Sequence, residues 1–198
     1  RSRASGDMAM AMRDVMLGYS MERDVTGGNP PVRFRYNDHG GYNPHMLKTA
    51  RPGDDKFMVF DRSVTREADL NLRNYFQNLI EELYCEDRPL LFEASYKTPH
   101  CPFVAPEDLF NYYRERVELP KHGLPENLPP YLQRLHAASE PEDITEEMIL
   151  NARAGYWALV EWMDRQIGCV LETLEDLGVR DDFLVMYTTD HGEMAGEK

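Results

Sequence analysis

The chain has 198 residues, of which 42% are hydrophobic and 11% aromatic, a composition that is typical of a globular protein and excludes a largely disordered one. Its 22 basic and 35 acidic side chains give a net charge of −13. This acidity argues against a nucleic acid as partner, because a polyanion is bound through lysine and arginine. The sequence contains no run of about twenty apolar residues of the kind that spans a membrane.

The number and spacing of the cysteines indicate whether the protein works in a reducing or an oxidising compartment. Cys85, Cys101 and Cys169 are odd in number and follow no zinc-binding spacing, so the sequence predicts neither a disulfide framework nor a zinc site. This usage favours a reducing compartment. Residues 1–7 are polar, unlike a secretory signal, but the first residue is Arg rather than Met. A cytoplasmic and a periplasmic location are both compatible with these features, as is any oligomeric state.

The amino-terminal part of the chain differs from the rest in composition. Residues 1–56 are rich in Gly, Pro, Asn and Arg and show little periodicity. Two stretches, 26–31 and 37–44, carry the residues that form turns. We predict a loop-rich segment or insertion over residues 1–56 and a regular α/β domain over residues 57–198.

The first clear helix begins after this segment. A helix is predicted from Asp61 or Ser63, as the cap, to about residue 83, because apolar residues recur on one face at spacings of three and four. These residues are Leu72, Tyr75, Phe76, Leu79, Ile80 and Leu83. Residues 90–96 (LLFEASY) predict a short strand. A helix followed by a strand is the repeating unit of a mostly parallel α/β sheet.

The loop KTPHCPF follows that strand at residues 97–103. Pro99 and Pro102 flank His100 and Cys101, restrict the backbone and forbid a helix there. A rigid loop that presents one histidine at the carboxyl end of a strand is suited to hold a reacting side chain. The alternative is a loop histidine that is hydrogen-bonded for structural reasons alone.

Two helices are predicted beyond this loop. A short one covers residues 106–114, and a proline-rich surface connection follows over residues 119–141. A long amphipathic helix is predicted from about Thr145 to residue 177, ended by Gly178 in the left-handed conformation. Trp157 is expected in the core with the buried stripe, which comprises Tyr156, Leu159, Val160, Met163, Ile167, Val170, Leu171 and Leu174.

The last stretch carries the second group of polar residues. Residues 183–187 (FLVMY) are apolar and β-prone and predict a buried strand, after which Asp190 and His191 enter a turn. Open α/β sheets present ligand-binding residues at the carboxyl ends of their strands. A carboxylate oxygen and an imidazole nitrogen suit a divalent cation. The alternative is an aspartate that caps the turn beside an exposed histidine.

These motifs resemble the sulfatases of the alkaline phosphatase superfamily, in particular their choline-sulfatase and arylsulfatase-like branches. YTTDHGEMAGEK at residues 187–198 resembles the second metal-ligand motif of that family, and KTPHCPF resembles its Pro-His-x-Pro segment, with a long helix between them. The resemblance covers residues 57–198. It implies part of an alkaline-phosphatase-like sandwich, with a mostly parallel central sheet flanked by helices.

The resemblance also implies an activity and a site. The expected reaction is the metal-dependent hydrolysis of a small-molecule sulfate ester. Asp190 and His191 would be metal ligands, His100 would contact the ester and protonate its leaving group, and Lys97 would support sulfate binding. Ca²⁺ is the expected cation and Mn²⁺ is the alternative.

The nucleophile of the sulfatases is a formylglycine made in a Cys/Ser-x-Pro-x-Arg motif, and none of the three cysteines begins that pattern. We therefore expect the formylglycine upstream of Arg1, the chain to be the middle of a longer catalytic domain, and the chain alone to be inactive. One alternative is a phosphonate monoester or phosphodiester hydrolase of the same superfamily. Another is a non-catalytic binding domain.

Overall fold

The computed structural model describes residues 2–5, 21–23, 45–77, 90–121, 126–139 and 144–197. The strands are β1 (Ser2–Ser5), β2 (Met21–Arg23), β3 (Arg51–Pro52), β4 (Leu91–Ala94) and β5 (Val104–Ala105). The helices are α1 (His45–Lys48), α2 (Lys56–Phe76), α3 (Glu107–Arg114), α4 (Pro130–Ser139) and α5 (Glu146–Asp176), and a 3₁₀ turn follows at Arg180–Asp182.

The described residues form two compact units. The first unit contains residues 2–5, 21–23, 56–77, 90–98 and 163–188. The second unit contains residues 45–55, 99–121, 126–139, 144–162 and 189–197. Most of the predicted loop-rich segment lies outside the described residues, so the predicted boundary near residue 57 stays a prediction.

The first unit contains a three-stranded sheet in the order β2-β1-β4, in which every strand is parallel to its neighbour. Strand β1 pairs with β4 from Ser2 opposite Leu91 to Ser5 opposite Ala94. Strand β4 confirms the strand predicted over residues 90–96. Parallel strands need crossover connections, which are usually helical. The prediction of an α/β fold with a parallel sheet is therefore confirmed at this level.

Helix α2 begins at Lys56 and not at the predicted cap, Asp61. The earlier start follows from Met58, which lies three residues before Asp61 and extends the same buried face by almost one turn. The residues of that face are Met58, Asp61, Val64, Ala68, Asn71, Leu72 and Tyr75. The continuation that was predicted to residue 83 lies outside the described residues.

Polar contacts connect α2 to the carboxyl-terminal part of α5 within the first unit. The Thr173 hydroxyl, which is 3% exposed, donates to Asp69 Oδ1 at 2.8 Å. Arg73 Nε donates to the same oxygen at 2.7 Å, and Arg73 Nη2 donates to Asp176 Oδ2 at 3.0 Å. Exposed ion pairs contribute little, so the buried hydroxyl contributes more to fixing the two helices in register.

In the second unit, strands β3 and β5 pair in parallel, with Arg51 opposite Val104. The backbone N–H of Arg51 donates to the carbonyl oxygen of Phe103 at 3.2 Å, and that of Gly53 donates to Ala105 at 2.8 Å. Phe103 and the two residues of β5 are almost wholly buried. The backbone that leaves the KTPHCPF loop is thus held in place immediately after the loop.

Helix α3 confirms the helix predicted over residues 106–114, and Phe110 is buried on it. Helix α4 lies within the proline-rich surface connection predicted over residues 119–141, and its residues 131–134 are exposed. Pro130 stands at the first position of α4, where the missing N–H of proline costs no helical hydrogen bond. Among the described residues, no helix is both long and apolar enough to cross a membrane.

Helix α5 confirms the long helix predicted from about Thr145 to residue 177. Thr145 Oγ1 accepts the N–H of Met148 at 3.2 Å, and Gly178 has a φ of 70°. Its packed face differs from the predicted stripe, because Val160 is 40% exposed and small residues provide much of the buried surface. These small residues are Ala152, Ala154, Gly155 and Ala158.

Gly155 lies where α5 approaches the backbone of Phe103, and a Cβ placed on Gly155 would lie 2.9 Å from the Phe103 Cβ. Replacing Gly155 by alanine is expected to destabilise the protein by about 1–3 kcal/mol, because overpacking exceeds the gain in helix propensity. Gly168 lies in the same helix with open space around it. Gly168→Ala is expected to stabilise the protein by about 0.5–1 kcal/mol. Urea unfolding measures both effects, and a stabilising Gly155→Ala would contradict the close packing.

Residues 183–187 do not form the predicted buried strand, so that prediction is wrong for this structure. They have no regular secondary structure, and Leu184 and Met186 are 89% and 78% exposed. A β-prone sequence forms a strand where another strand offers its N–H and C=O groups, and the described strands of the first unit pair with one another instead. The Phe183 ring packs edge-on against Phe76, with centroids 5.9 Å apart.

Candidate functional site

His100 is exposed in the KTPHCPF loop. Its Nδ1 lies 2.6 Å from the carbonyl oxygen of Cys101. A carbonyl oxygen only accepts, so Nδ1 carries the hydrogen, and Nε2 is the nitrogen that takes up or releases a proton. The loop therefore fixes the imidazole from one side and assigns any acid–base chemistry to Nε2. The Cys101–Pro102 peptide bond in this loop is cis.

Asp190 and His191 lie side by side in an exposed turn, where their side chains are 87% and 73% exposed. The backbone N–H of His191 donates to Asp190 Oδ1 at 2.9 Å, and His191 Nε2 lies 3.7 Å from Asp190 Oδ2. The Thr189 hydroxyl donates to the carbonyl oxygen of His191 at 2.9 Å. These local bonds hold the carboxylate and the imidazole next to each other.

The backbone also fixes the tautomer of His191. Its Nδ1 lies 2.7 Å from the carbonyl oxygen of Gly192, which can accept but not donate. This carbonyl first, and the Asp190 carboxylate second, raise the pKa of His191. In the neutral form the lone pair is on Nε2, as in metal-binding histidines whose other nitrogen donates to a backbone carbonyl. Nε2 and the neighbouring Asp190 Oδ2 are therefore chemically suited to share a cation.

The part of the loop that carries His100 and the turn that carries Asp190 and His191 both belong to the second unit. Burial and, after it, the Glu193 carboxylate raise the pKa of the Cys101 thiol to about 11. Cys101 follows His100 directly, and Glu193 lies two residues after His191. A site shared by the two motifs requires their side chains to lie close together.

Both motifs also pack on the same stretch of α5. Phe103 lies against Gly155, and a Cβ placed on Gly196, which has a φ of 86°, would lie 2.7 Å from Ile149 Cγ2. Ile149 and Gly155 are about 9 Å apart along the helix axis. Between them in sequence, Arg153 lies with its Nη1 3.5 Å from Glu197 Oε1. Six residues of separation place Ile149 and Gly155 about 120° apart around the helix, so one stretch of α5, and not one face, supports the end of each motif.

The described side chains do not complete a metal site. Over the parts of the chain that the structure describes, no group of three or more His, Cys, Asp or Glu side chains is arranged to hold a metal ion. Asp190 and His191 supply one hard oxygen and one imidazole nitrogen, whereas Ca²⁺ takes about six to eight ligands. The chemistry of the pair fits a divalent cation, and its geometry provides part of the coordination shell.

Lys97, the fourth predicted site residue, belongs to the first unit, whereas His100, Asp190 and His191 belong to the second. Within the first unit, Lys97 Nζ lies 5.9 Å from the centroid of the Phe60 ring. A cation over an aromatic face is weakly attracted to it. The Lys97 side chain therefore lies along α2.

The position of Asp61, a polar residue that contacts the KTPHCPF loop, was mispredicted from the sequence. The prediction that it caps a helix is wrong, because it lies inside α2 and is 0% exposed. Its carboxylate accepts the backbone N–H groups of Lys97 and Thr98. The available signal was its spacing, since Val64 and Ala68 follow it by three and seven residues on the buried face. A carboxylate on an apolar face requires buried partners.

The two cysteines that the structure describes differ in environment, which predicts a difference in reactivity. Cys101 is 6% exposed and its thiol pKa is raised to about 11, whereas Cys169 is exposed. Because the thiolate is the reactive form, iodoacetamide at pH 8 is expected to alkylate Cys169 on the order of 100-fold faster than Cys101. Peptide mapping by mass spectrometry measures both rates. In urea the two rates should become similar, and equal rates in the native protein would contradict the burial of Cys101.

Trp157 does not lie in the core as predicted, because it is 51% exposed. With Tyr113 and Arg153 it lines a groove of about 410 Å³ in the second unit. Its neighbour Tyr156 is half-buried and packs edge-on against Phe103, with centroids 6.2 Å apart. The lining of the groove includes none of the predicted site residues.

Comparison with known proteins places these motifs in a family. The family model of the sulfatases matches residues 19–198, a range that includes both motifs. The chain is 31% identical over 116 residues to choline-sulfatase of Rhizobium meliloti, covering 56% of this chain and 23% of that protein. It is 29% identical over 134 residues to mouse (Mus musculus) iduronate 2-sulfatase, covering 60% and 24%.

A third relative, the multifunctional alkaline phosphatase superfamily protein PehA of Trinickia caryophylli, is 29% identical over 128 residues, covering 57% of this chain and 25% of that protein. The matched regions thus span about a quarter of the length of these relatives. The predicted resemblance is confirmed by a family match that covers most of the sequence, and the chain belongs to the sulfatase family.

Proposed function

We propose that the protein hydrolyses small-molecule sulfate esters in a site where Asp190 and His191 contribute to holding a divalent cation and His100 protonates the leaving oxygen. Membership of the sulfatase family supports sulfate-ester hydrolysis at the level of the family. The observation that carries the proposal is the packing of both motifs on one stretch of α5, where Phe103 lies against Gly155 and Gly196 lies against Ile149.

Each side chain has a defined role in this proposal. When bound, the cation would offset the negative charge of the sulfate oxygens. Asp190 would provide an anionic donor, and His191 would provide Nε2. His100 would donate the proton on Nε2 to the ester oxygen as the S–O bond breaks and its electron pair moves to that oxygen. The leaving group departs as a neutral alcohol, and in the overall reaction water replaces it on sulfur.

The bond between His100 Nδ1 and the Cys101 carbonyl supports this role. The same bond holds the ring in one orientation through the reaction. The supporting role of Lys97 in sulfate binding stays a prediction, because Lys97 belongs to the first unit.

The proposal extends to the groups that the family resemblance implies. Ca²⁺ is the proposed cation, with Mn²⁺ as the alternative, and the proposed nucleophile is a formylglycine outside these 198 residues. The described parallel sheet and helices are proposed to be part of an alkaline-phosphatase-like sandwich. Reading the coding sequence ahead of Arg1 tests the position of the nucleophile, and the absence of a Cys/Ser-x-Pro-x-Arg motif there would favour a binding domain.

A second candidate is the hydrolysis of phosphonate monoesters or phosphodiesters. It is supported by the similarity to PehA, whose name describes a multifunctional member of the alkaline phosphatase superfamily. A tetrahedral phosphoryl group makes demands on a cation and a proton donor that resemble those of a sulfuryl group. The organic part of either substrate is left open by these residues.

The deciding experiment uses the protein expressed with all the sequence that its gene encodes. After chelation, Ca²⁺ or Mn²⁺ is added back, and kcat/KM is measured with 4-nitrophenyl sulfate and with bis-4-nitrophenyl phosphate. We expect cation-dependent turnover with the higher kcat/KM for the sulfate, and no turnover by the 198-residue chain alone. A higher kcat/KM for the phosphodiester would favour the second candidate, and turnover of neither ester would favour a binding domain.

A further inference from the structure

The carboxylate of Asp61 is held by donors from one short stretch of chain. Oδ1 accepts the backbone N–H of Lys97 at 2.8 Å, and Oδ2 accepts the backbone N–H of Thr98 at 3.0 Å. The Thr98 hydroxyl also donates to Oδ2, at 2.6 Å. Short bonds to an ionised acceptor are the stronger kind. Asp61 is 0% exposed and Thr98 is 4% exposed, so these bonds are shielded from water.

Burying a carboxylate at this position of the helix costs free energy, because the charged group loses its hydration. Burial raises the pKa of Asp61, and the hydrogen bonds from Lys97 and Thr98 oppose that shift. Met58 and Val64 fill the adjacent positions of the same face with apolar side chains that need no partner. The carboxylate does what those side chains cannot do, because it fixes the direction of two consecutive peptide groups.

Those two peptide groups belong to the residues that lead into Pro99 and His100. The pyrrolidine ring fixes φ at Pro99 and restricts the backbone of Thr98. The direction in which the chain leaves Thr98 is therefore set by few torsions, and Asp61 holds the backbone from which they start.

We propose that Asp61 is a positioning residue for the KTPHCPF loop: through Lys97 and Thr98 it sets the direction of the backbone that carries His100. This inference rests on the proposed function, because the orientation of His100 matters most where that side chain transfers a proton. A small error in the position of a proton donor slows the chemical step more than it weakens substrate binding.

Thr98 and Thr173 form a matched pair for the test. Each is buried in the first unit, and each hydroxyl donates to an aspartate of α2, Thr98 to Asp61 at 2.6 Å and Thr173 to Asp69 at 2.8 Å. Valine removes the hydroxyl and keeps the branched shape. Thr98→Val should lower the melting temperature at least as much as Thr173→Val, because Asp61 is buried whereas the Asp69 side chain is 43% exposed. The catalytic rates of the two variants, and not their melting temperatures, therefore report on the loop.

The experiment measures kcat and KM for 4-nitrophenyl sulfate and phenyl sulfate in the cation-loaded protein expressed with its whole coding sequence. Thr98→Val is expected to lower kcat for phenyl sulfate by about 10–100-fold with little change in KM. The loss should be smaller for 4-nitrophenyl sulfate, whose leaving group needs less protonation. Thr173→Val should leave both rates within about twofold of wild type, and Thr98→Ser, which keeps the hydroxyl, should restore them.

Two results separate the possible failures. If Thr98→Val lowers the melting temperature but leaves the ratio of the two rates unchanged, Asp61 has a structural role alone and the inference is overturned. If the wild-type protein turns over neither sulfates nor phosphate esters, the proposed function fails first. Asp61→Asn presents an amide NH₂ to one of the donors and should shift the ratio of the two rates in the same direction as Thr98→Val. If Asp61→Asn does not fold, Thr98→Val alone decides the question.

Discussion

Replacing Asp190 by alanine is expected to lower kcat/KM for sulfate esters by about 10²–10³-fold in the protein expressed with its whole coding sequence. The substitution removes the anionic oxygen that lies 3.7 Å from His191 Nε2 and leaves the imidazole without its carboxylate neighbour. The apparent affinity for the cation should fall, so raising the Ca²⁺ concentration should restore part of the rate. Steady-state rates measured as a function of added Ca²⁺ after chelation test both expectations.

Two further variants make the Asp190 result specific. Asp181→Ala removes an exposed carboxylate from the turn Arg180–Asp182 and makes the same change in charge, so it should keep wild-type cation dependence. Asp190→Asn keeps an acceptor for the His191 N–H but lacks the charge, and it should fall between wild type and alanine. Because Asp190 is 87% exposed, its substitution should change stability by no more than about 0.5 kcal/mol. Unchanged cation dependence in Asp190→Ala would show that Asp190 is not a ligand.

The parts of the fold that the sequence predicted well are those decided by neighbours along the chain. Helix α5 follows from a sustained period of 3.6 residues, a capping threonine at Thr145 and a glycine stop at Gly178. Helix α3 and strand β4 are short, but a proline precedes each of them in sequence, Pro106 before α3 and Pro89 before β4. In each case the local preference of the residues and their environment in the folded protein agree.

The parts that the sequence predicted poorly depend on partners far away in the chain. Residues 183–187 have strong β-propensity, but a strand also requires a neighbouring strand, and this segment has none among the described residues. The buried position of Asp61 is explained by the backbone N–H groups of Lys97 and Thr98, which donate to its carboxylate. The packed face of α5 was mispredicted because Gly155 and its alanine neighbours bury backbone against Phe103, which hydrophobic periodicity does not record.

In the candidate site, too, some features could be predicted from the sequence and others depend on distant parts of the chain. The polar residues of the two motifs could be selected from sequence because an Asp-His pair and a proline-flanked histidine are rare patterns with chemical meaning. The packing of both motifs on one stretch of α5 could not be predicted, since it depends on the paths of two loops separated by that long helix. The tautomers of His100 and His191 could not be predicted from the sequence either, because each is set by a backbone carbonyl that accepts from Nδ1.

Replacing His100 by alanine is expected to slow the hydrolysis of esters with poor leaving groups by about 10²–10⁴-fold, the range of general acid catalysis. A phenolate leaving oxygen develops negative charge that a proton from Nε2 neutralises as the bond to sulfur breaks. A 4-nitrophenolate spreads that charge over its ring and needs the proton less. The loss for 4-nitrophenyl sulfate should therefore be much smaller than the loss for phenyl sulfate, as measured by kcat for a series of aryl sulfates.

The dependence on the leaving group separates a proton donor from a residue that binds the sulfate. If His100 bound only the sulfate oxygens, which every ester in the series shares, His100→Ala would lower all rates by the same factor. His100→Gln sharpens this distinction, because its amide can donate a hydrogen bond but cannot transfer a proton, so it should behave like alanine with phenyl sulfate. Recovery of the phenyl sulfate rate in His100→Gln, or equal losses for all leaving groups, would show that the imidazole acts through binding and not through protonation.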